Sequence, residues 1–124
     1  GIRADSRFAT APVMDFRATS PRFAPEALPA NMALVALVRT WAQRKNATPA
    51  QLSLAWLMAR KPWIVPIPGT TNIDHMEENF GGADIALDAA AFARLDALVN
   101  SRTVAGNRYN PNSIREIDTE EIAA

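Results

Sequence analysis

The hexapeptide Trp63-Ile64-Val65-Pro66-Ile67-Pro68 constrains the fold of this chain more than any other feature. It is a short apolar run between turn signals, with Lys61-Pro62 before it and Gly69 after it. Such a run reads as a β-strand buried on both faces, the kind found in parallel sheets. Pro66 and Pro68 each lack the N–H that a central strand donates, so the expected strand covers about Trp63 to Pro66. A lone buried strand leaves its N–H and C=O groups unpaired, at about 1–3 kcal/mol each. No second strand pattern occurs in the 124 residues. The partners then come from another part of a larger protein, from a second copy, or the strand does not form.

The rest of the pattern is helical. Leu34, Leu37, Val38 and Trp41 recur at i, i+3, i+4 and i+7, predicting a helix over about 31–45. Asn46-Ala47 breaks it. Thr48, Pro49 and Gln51 then form a capping box with proline at the tolerated first position, and predict a helix over about 49–60. Leu52, Ala55, Trp56 and Ala59 make its stripe, widened by Leu54, Leu57 and Met58, so it expects cover on most sides. Thr71 or Asn72 caps a short helix over about 73–80 that ends at Gly81-Gly82. Asp88 caps a last helix over about 89–99, with Leu87 and Phe92 as a hydrophobic staple and Phe92, Leu95 and Val99 as its buried stripe. Residues 1–30, with Pro12, Pro21, Pro25 and Pro29, read as an irregular segment. Residues 100–124 read as a polar tail with one helical turn near Ile114.

Composition removes several function classes. Thirteen basic and thirteen acidic residues cancel, so no net field draws the chain to nucleic acid or anionic lipid. There is no cysteine, which excludes disulfides, thiolate nucleophiles and cysteine metal sites. No apolar run approaches the roughly 18 residues of a membrane span. The expectation is a cytoplasmic protein that binds neither nucleic acid nor membrane.

Chemistry is best supported at the strand-to-helix junction, Pro66-Ile67-Pro68-Gly69-Thr70-Thr71-Asn72-Ile73-Asp74-His75-Met76-Glu77-Glu78-Asn79. A helix N-terminus offers unpaired N–H groups and the positive end of the helix dipole, which suits an anion. Gly69 permits close approach to the backbone, and Thr70 and Thr71 add hydroxyl donors. The plainer reading of the same residues is a turn followed by a capped helix.

The run TPAQLSLAWLMARKPWIVPIPGTTNIDHMEENF resembles the C-terminal part of the aldo-keto reductases, in the branch whose eighth barrel strand ends in a PIPGT turn. DFRATSPRF upstream and LDAAAFARLDAL downstream resemble it as well, so the likeness runs from about Asp15 to Tyr109. The resemblance implies α/β architecture: the C-terminal fragment of a (β/α)8 TIM barrel, mostly helical with one parallel-type strand. It also implies a nicotinamide dinucleotide, NADP with NAD as the alternative, and reduction of carbonyls to alcohols. By position, Gly69, Thr70, Thr71 and Asn72 fall in the family's phosphate turn. His75 falls where the family often has an Arg for the 2′-phosphate, and Glu78 and Asn79 match the pair that contacts adenine. Two departures follow. No Lys or Arg lies between Gly69 and Asn79, which weakens the preference for NADP, since an ordinary imidazole carries little charge at pH 7. The family's catalytic Asp, Tyr, Lys and His belong to earlier strands, and the only His, Tyr and Lys residues here, His75, Tyr109, Lys45 and Lys61, do not match them.

Other residues carry less. His75 has no second His or Cys with which to build a tetrahedral metal site. Glu77 and Glu78 are adjacent on a helix and diverge by about 100°, which does not suit an acid–base pair. Trp41, Trp56 and Trp63 read as core and Tyr109 as a surface aromatic, while the resemblance implies a tail that helps to shape the substrate pocket. The loose basic run Arg3, Arg7, Arg17 and Arg22 is interrupted by Asp5 and Asp15 and has no aromatic platform. The expected role is therefore the adenosine-phosphate side of a cofactor site, completed by the remaining N-terminal barrel segment or by self-association. The alternative is a small non-catalytic helical interaction module, or a truncated fragment without function.

Overall fold

A computed structural model describes residues 16–115. The parts of the basic run at Arg3, Asp5, Arg7 and Asp15, and the tail beyond Arg115, lie outside the described residues. Five α-helices are present among them: α1 (Leu28–Arg44), α2 (Pro49–Arg60), α3 (Ile73–Phe80), α4 (Ala89–Leu98) and α5 (Pro111–Ile114). Short 3-10 turns cover Phe16–Thr19, Pro21–Phe23 and Gly81–Asp84. The chain divides into two units, one formed by residues 33–103 and the other by the segments flanking it.

Residues 33–103 build a helical core. Ala42, Leu52 and Leu95, from α1, α2 and α4, are its centre, and Val38, Trp41, Trp56 and Leu87 pack around them. Leu52 is 1% exposed. The turn between α1 and α2 follows from its residues. Asn46 takes a left-handed φ of 50° just past the helix end. The N–H of Ala47 donates to Ala42 O at 2.9 Å and that of Asn46 to Gln43 O at 3.0 Å, which closes the helix as a Schellman motif. Thr48 then starts α2 at once. Its Oγ1 accepts the Gln51 N–H at 3.2 Å, and Gln51 Oε1 accepts the Thr48 N–H at 3.0 Å. Ion pairs join the helix ends: Lys45 to Asp88, and Arg60 to Asp96.

In the flanking unit α1 begins at Leu28, upstream of the position its hydrophobic stripe suggests. Pro29 sits in the first turn, where no N–H is needed, so it permits the earlier start. Buried Asn31 links distant segments: its Nδ2 donates to Arg22 O and Ala105 O, both at 2.9 Å, and its Oδ1 accepts the Ala105 N–H at 2.9 Å. Gly106 follows with φ of 81°, and a Cβ there would lie 2.5 Å from Pro21 O.

The expected strand at Trp63–Pro66 is absent, and no strand occurs among the described residues. Trp63 lies in a turn, and the backbone from Ile64 to Thr70 is irregular. Trp63, Val65 and Ile67 are 73%, 80% and 93% exposed, so neither burial on two faces nor a core place for Trp63 holds. The physical reason is the absence of a ladder partner among the described residues: Pro66 and Pro68 lack donors, the Ile64 N–H turns back to Lys61 O, and no second strand pairs with the segment. Leu37, expected on the buried stripe of α1, is likewise 44% exposed.

Candidate functional site

The junction residues gather at the N-terminus of α3. Asn72 is its cap, in extended conformation at φ −102° and ψ 126°, and its Oδ1 accepts the His75 N–H at 3.2 Å. Its carbonyl accepts the Met76 N–H at 3.1 Å. Thr70 braces the cap from the other side, its Oγ1 accepting the Asn72 N–H at 3.1 Å. The turn therefore spends one hydroxyl and one carboxamide on holding its own backbone.

Space for a ligand remains around it. A Cβ built on Gly69 meets nothing within 4 Å. Gly69, Thr70, Thr71, Asn72 and His75 are exposed, whereas Glu78 and Asn79, one turn further, are half-buried. Asp74 lies in the first turn, Glu77 and Glu78 follow, and no Lys or Arg intervenes between Gly69 and Asn79. The field at this end of α3 thus combines the positive pole of a short helix with the Asp74 carboxylate. Glu77 is exposed while Glu78 is half-buried, so the two do not share one environment.

Helix α3 has no buried residue of its own. It is held through its C-terminal end, where Gly81 caps it by donating its N–H to Glu77 O and Asn79 O. Gly82, in the 3-10 turn that follows, is buried against α2. A Cβ on Gly82 would lie 3.1 Å from Leu54 Cβ and 3.2 Å from Gln51 O, and one on Gly81 would lie 2.5 Å from Gln51 Nε2. Gln51 is visible in the sequence as a capping residue, but nothing local signals that its amide reaches the end of α3.

The remaining candidates are dispersed. A cleft of about 40 Å³ among Val38, Leu52, Ser53, Trp56, Leu95 and Val99 lies in the helical core. It is an order of magnitude below the roughly 300 Å³ at which ligand pockets begin. Trp41 carries Arg44 over its ring at 5.2 Å and Trp56 carries Arg60 at 4.7 Å, so both rings serve helix packing. Tyr109 is 38% exposed beneath Arg108 at 5.3 Å. Among the described residues no three His, Cys, Asp or Glu side chains form a metal cluster, and no helix is long and apolar enough to cross a membrane.

Comparison with known proteins gives a consistent picture. The family model described as "Aldo/keto reductase family" matches residues 4–100. Aldo-keto reductase yakc of Schizosaccharomyces pombe, whose name carries NADP(+), is 39% identical over 102 residues, 82% of this chain and 30% of that protein. Aldo-keto reductase str7 of Strobilurus tenacellus is 35% identical over 108 residues, 87% of this chain and 32% of that protein. The chain thus spans about a third of the length of these relatives. No solved structure matches it significantly.

Proposed function

The chain belongs to the aldo/keto reductase family, and we propose from that membership that it forms the C-terminal portion of a (β/α)8 barrel and supplies the adenosine-phosphate side of its cofactor site. The remaining barrel segment completes it. The observation that carries this reading is the exposed, capped N-terminus of α3 behind a glycine with open space around it. The N–H groups of Ile73 and Asp74, which the Asn72 cap does not take, and the Thr71 hydroxyl would hold phosphate oxygens, with Thr70 bracing the turn. Glu78 and Asn79, half-buried one turn on, would face the adenine. The nicotinamide dinucleotide, NADP by the name of one relative, supplies the hydride when bound. The side chains named here bind and orient it, and the carbonyl is reduced elsewhere in the barrel.

The barrel also accounts for the exposed apolar run. Trp63, Val65 and Ile67 stand in water here, and a neighbouring strand would both pair and cover them. The rival reading is a non-catalytic helical module, favoured by a core that α1, α2 and α4 close without any strand. Titration of NADPH and NADH into the complete barrel carrying this sequence separates the two. Replacing Thr70 and Thr71 by Val together with Asn79→Ala should weaken binding about tenfold or more, a loss of about 1.4 kcal/mol or more. An unchanged Kd would exclude the cofactor role.

A further inference from the structure

We propose that Gln51 is a positioning residue that sets the placement of α3, and through it the affinity for the dinucleotide. The proposal rests on the cofactor role assigned above to the α3 turn. Helix α3 is eight residues long, buries none of them fully, and packs mainly against α2 and the 3-10 turn that follows it. An isolated helix of this length is unstable in water, and its direction must come from an attachment. The attachment is its C-terminal end. Gly81 closes α3 by hydrogen bonds to Glu77 O and Asn79 O, and the Gln51 amide occupies the place a side chain at Gly81 would take.

Gln51 is itself held on two sides. Its N–H donates to Thr48 Oγ1 and its Oε1 accepts the Thr48 N–H, so the amide plane is fixed by the first turn of α2. That orientation leaves Nε2 turned to Gly81, at 2.5 Å from a Cβ built there. The Gln51 backbone closes the other side, with its O and Cα at 3.2 and 3.5 Å from a Cβ built on Gly82. The two glycines admit α2 because they present no side chain. A short rigid helix transmits a tilt at Gly81 to Asn79 and Glu78 in its last turn and to Asn72 at its start.

The test uses the complete barrel and reads the Kd and KM for NADPH alongside kcat and thermal melting. Gln51→Ala should raise Kd and KM about tenfold while leaving kcat within about twofold, as the loss of uniform binding does. Gln51→Glu, which keeps the capping acceptor and the side-chain shape, should restore most of the affinity. Gly81→Ala should also raise Kd, and combining it with Gln51→Ala should add nothing further, because the clashing amide is gone. Thr48→Ala removes one of the two hydrogen bonds that hold Gln51, so it should lower the melting temperature and raise Kd less than Gln51→Ala does. Asn79→Ala serves as the control for the cofactor role. Raised Kd in Asn79→Ala with unchanged Kd in Gln51→Ala overturns the positioning role alone. Unchanged Kd in both overturns the cofactor reading with it.

Discussion

Asn31 and Ala105, 74 residues apart, exchange two hydrogen bonds: the Asn31 amide donates to the Ala105 carbonyl and accepts the Ala105 N–H, each at 2.9 Å. The same amide donates to Arg22 O. One buried side chain thus satisfies three backbone groups from two segments that have no regular structure in common. Asn31→Leu removes the partner of all three and should cost about 2–3 kcal/mol, since orphaned groups carry their full desolvation penalty. Urea unfolding measures it, and a loss under about 0.5 kcal/mol would mean that water replaces the amide freely. Asn31→Asp places a carboxylate against two carbonyl oxygens. Its pKa in the folded chain should rise above the unfolded value, so its stability deficit should shrink as pH falls toward about 4.

Gly106 sits next to that clamp with φ of 81°, a region closed to most side chains. A Cβ there would also meet Pro21 O at 2.5 Å and Pro21 C at 2.7 Å, both backbone atoms with little freedom to give way. Gly106→Ala should therefore destabilise by more than about 1 kcal/mol, opposite in sign to the gain that glycine replacement gives at an unstrained site. Thermal melting of the single variant reads the sign directly.

These long-range devices explain which parts of the fold the sequence discloses. Thr48 with Gln51, Asn72 and Asp88 each cap a helix within three residues, and each is readable because the donor, the acceptor and the stripe they start are neighbours in the chain. Asn31 with Ala105 and Gln51 with Gly81 act across 74 and 30 residues, and no periodicity marks them. The missing strand is the same lesson with the opposite sign. Residues 63–66 have strand composition, but a strand exists only through a partner, and composition alone supplies none. The junction turn is legible as a capped helix start. That Thr70 spends its hydroxyl on the same turn is visible only in three dimensions.

The exposed run offers a direct contrast. Val65 and Ile67, at 80% and 93% exposed, contribute little to this chain by itself. The double replacement Val65→Thr with Ile67→Thr should leave its stability within about 0.5 kcal/mol. In a complete barrel the same change would place hydroxyls in a packed sheet, and the loss should reach about 2 kcal/mol or more. Equal effects in both settings would show that the segment never becomes part of a sheet.

Asp88 should set part of the acid sensitivity. Its Oδ1 accepts the Ala91 N–H at 2.7 Å, and its Oδ2 stands 3.5 Å from Lys45 Nζ. The Ala91 hydrogen bond above all, with the Lys45 charge behind it, holds the carboxyl below its ordinary value, while partial desolvation works the other way. The folded chain then binds fewer protons at this site than the unfolded chain. The resulting stability is present above the unfolded pKa and is lost as pH falls through the folded one. Asp88→Asn keeps a capping oxygen but has no charge to lose, so its melting temperature should fall less steeply below about pH 4 than that of the unsubstituted chain. High salt should remove only the Lys45 share, because that pair is partly exposed and screened, and leave the share due to the Ala91 N–H. Parallel acid limbs for the two proteins would mean that Asp88 ionises in the folded chain as it does in the unfolded one.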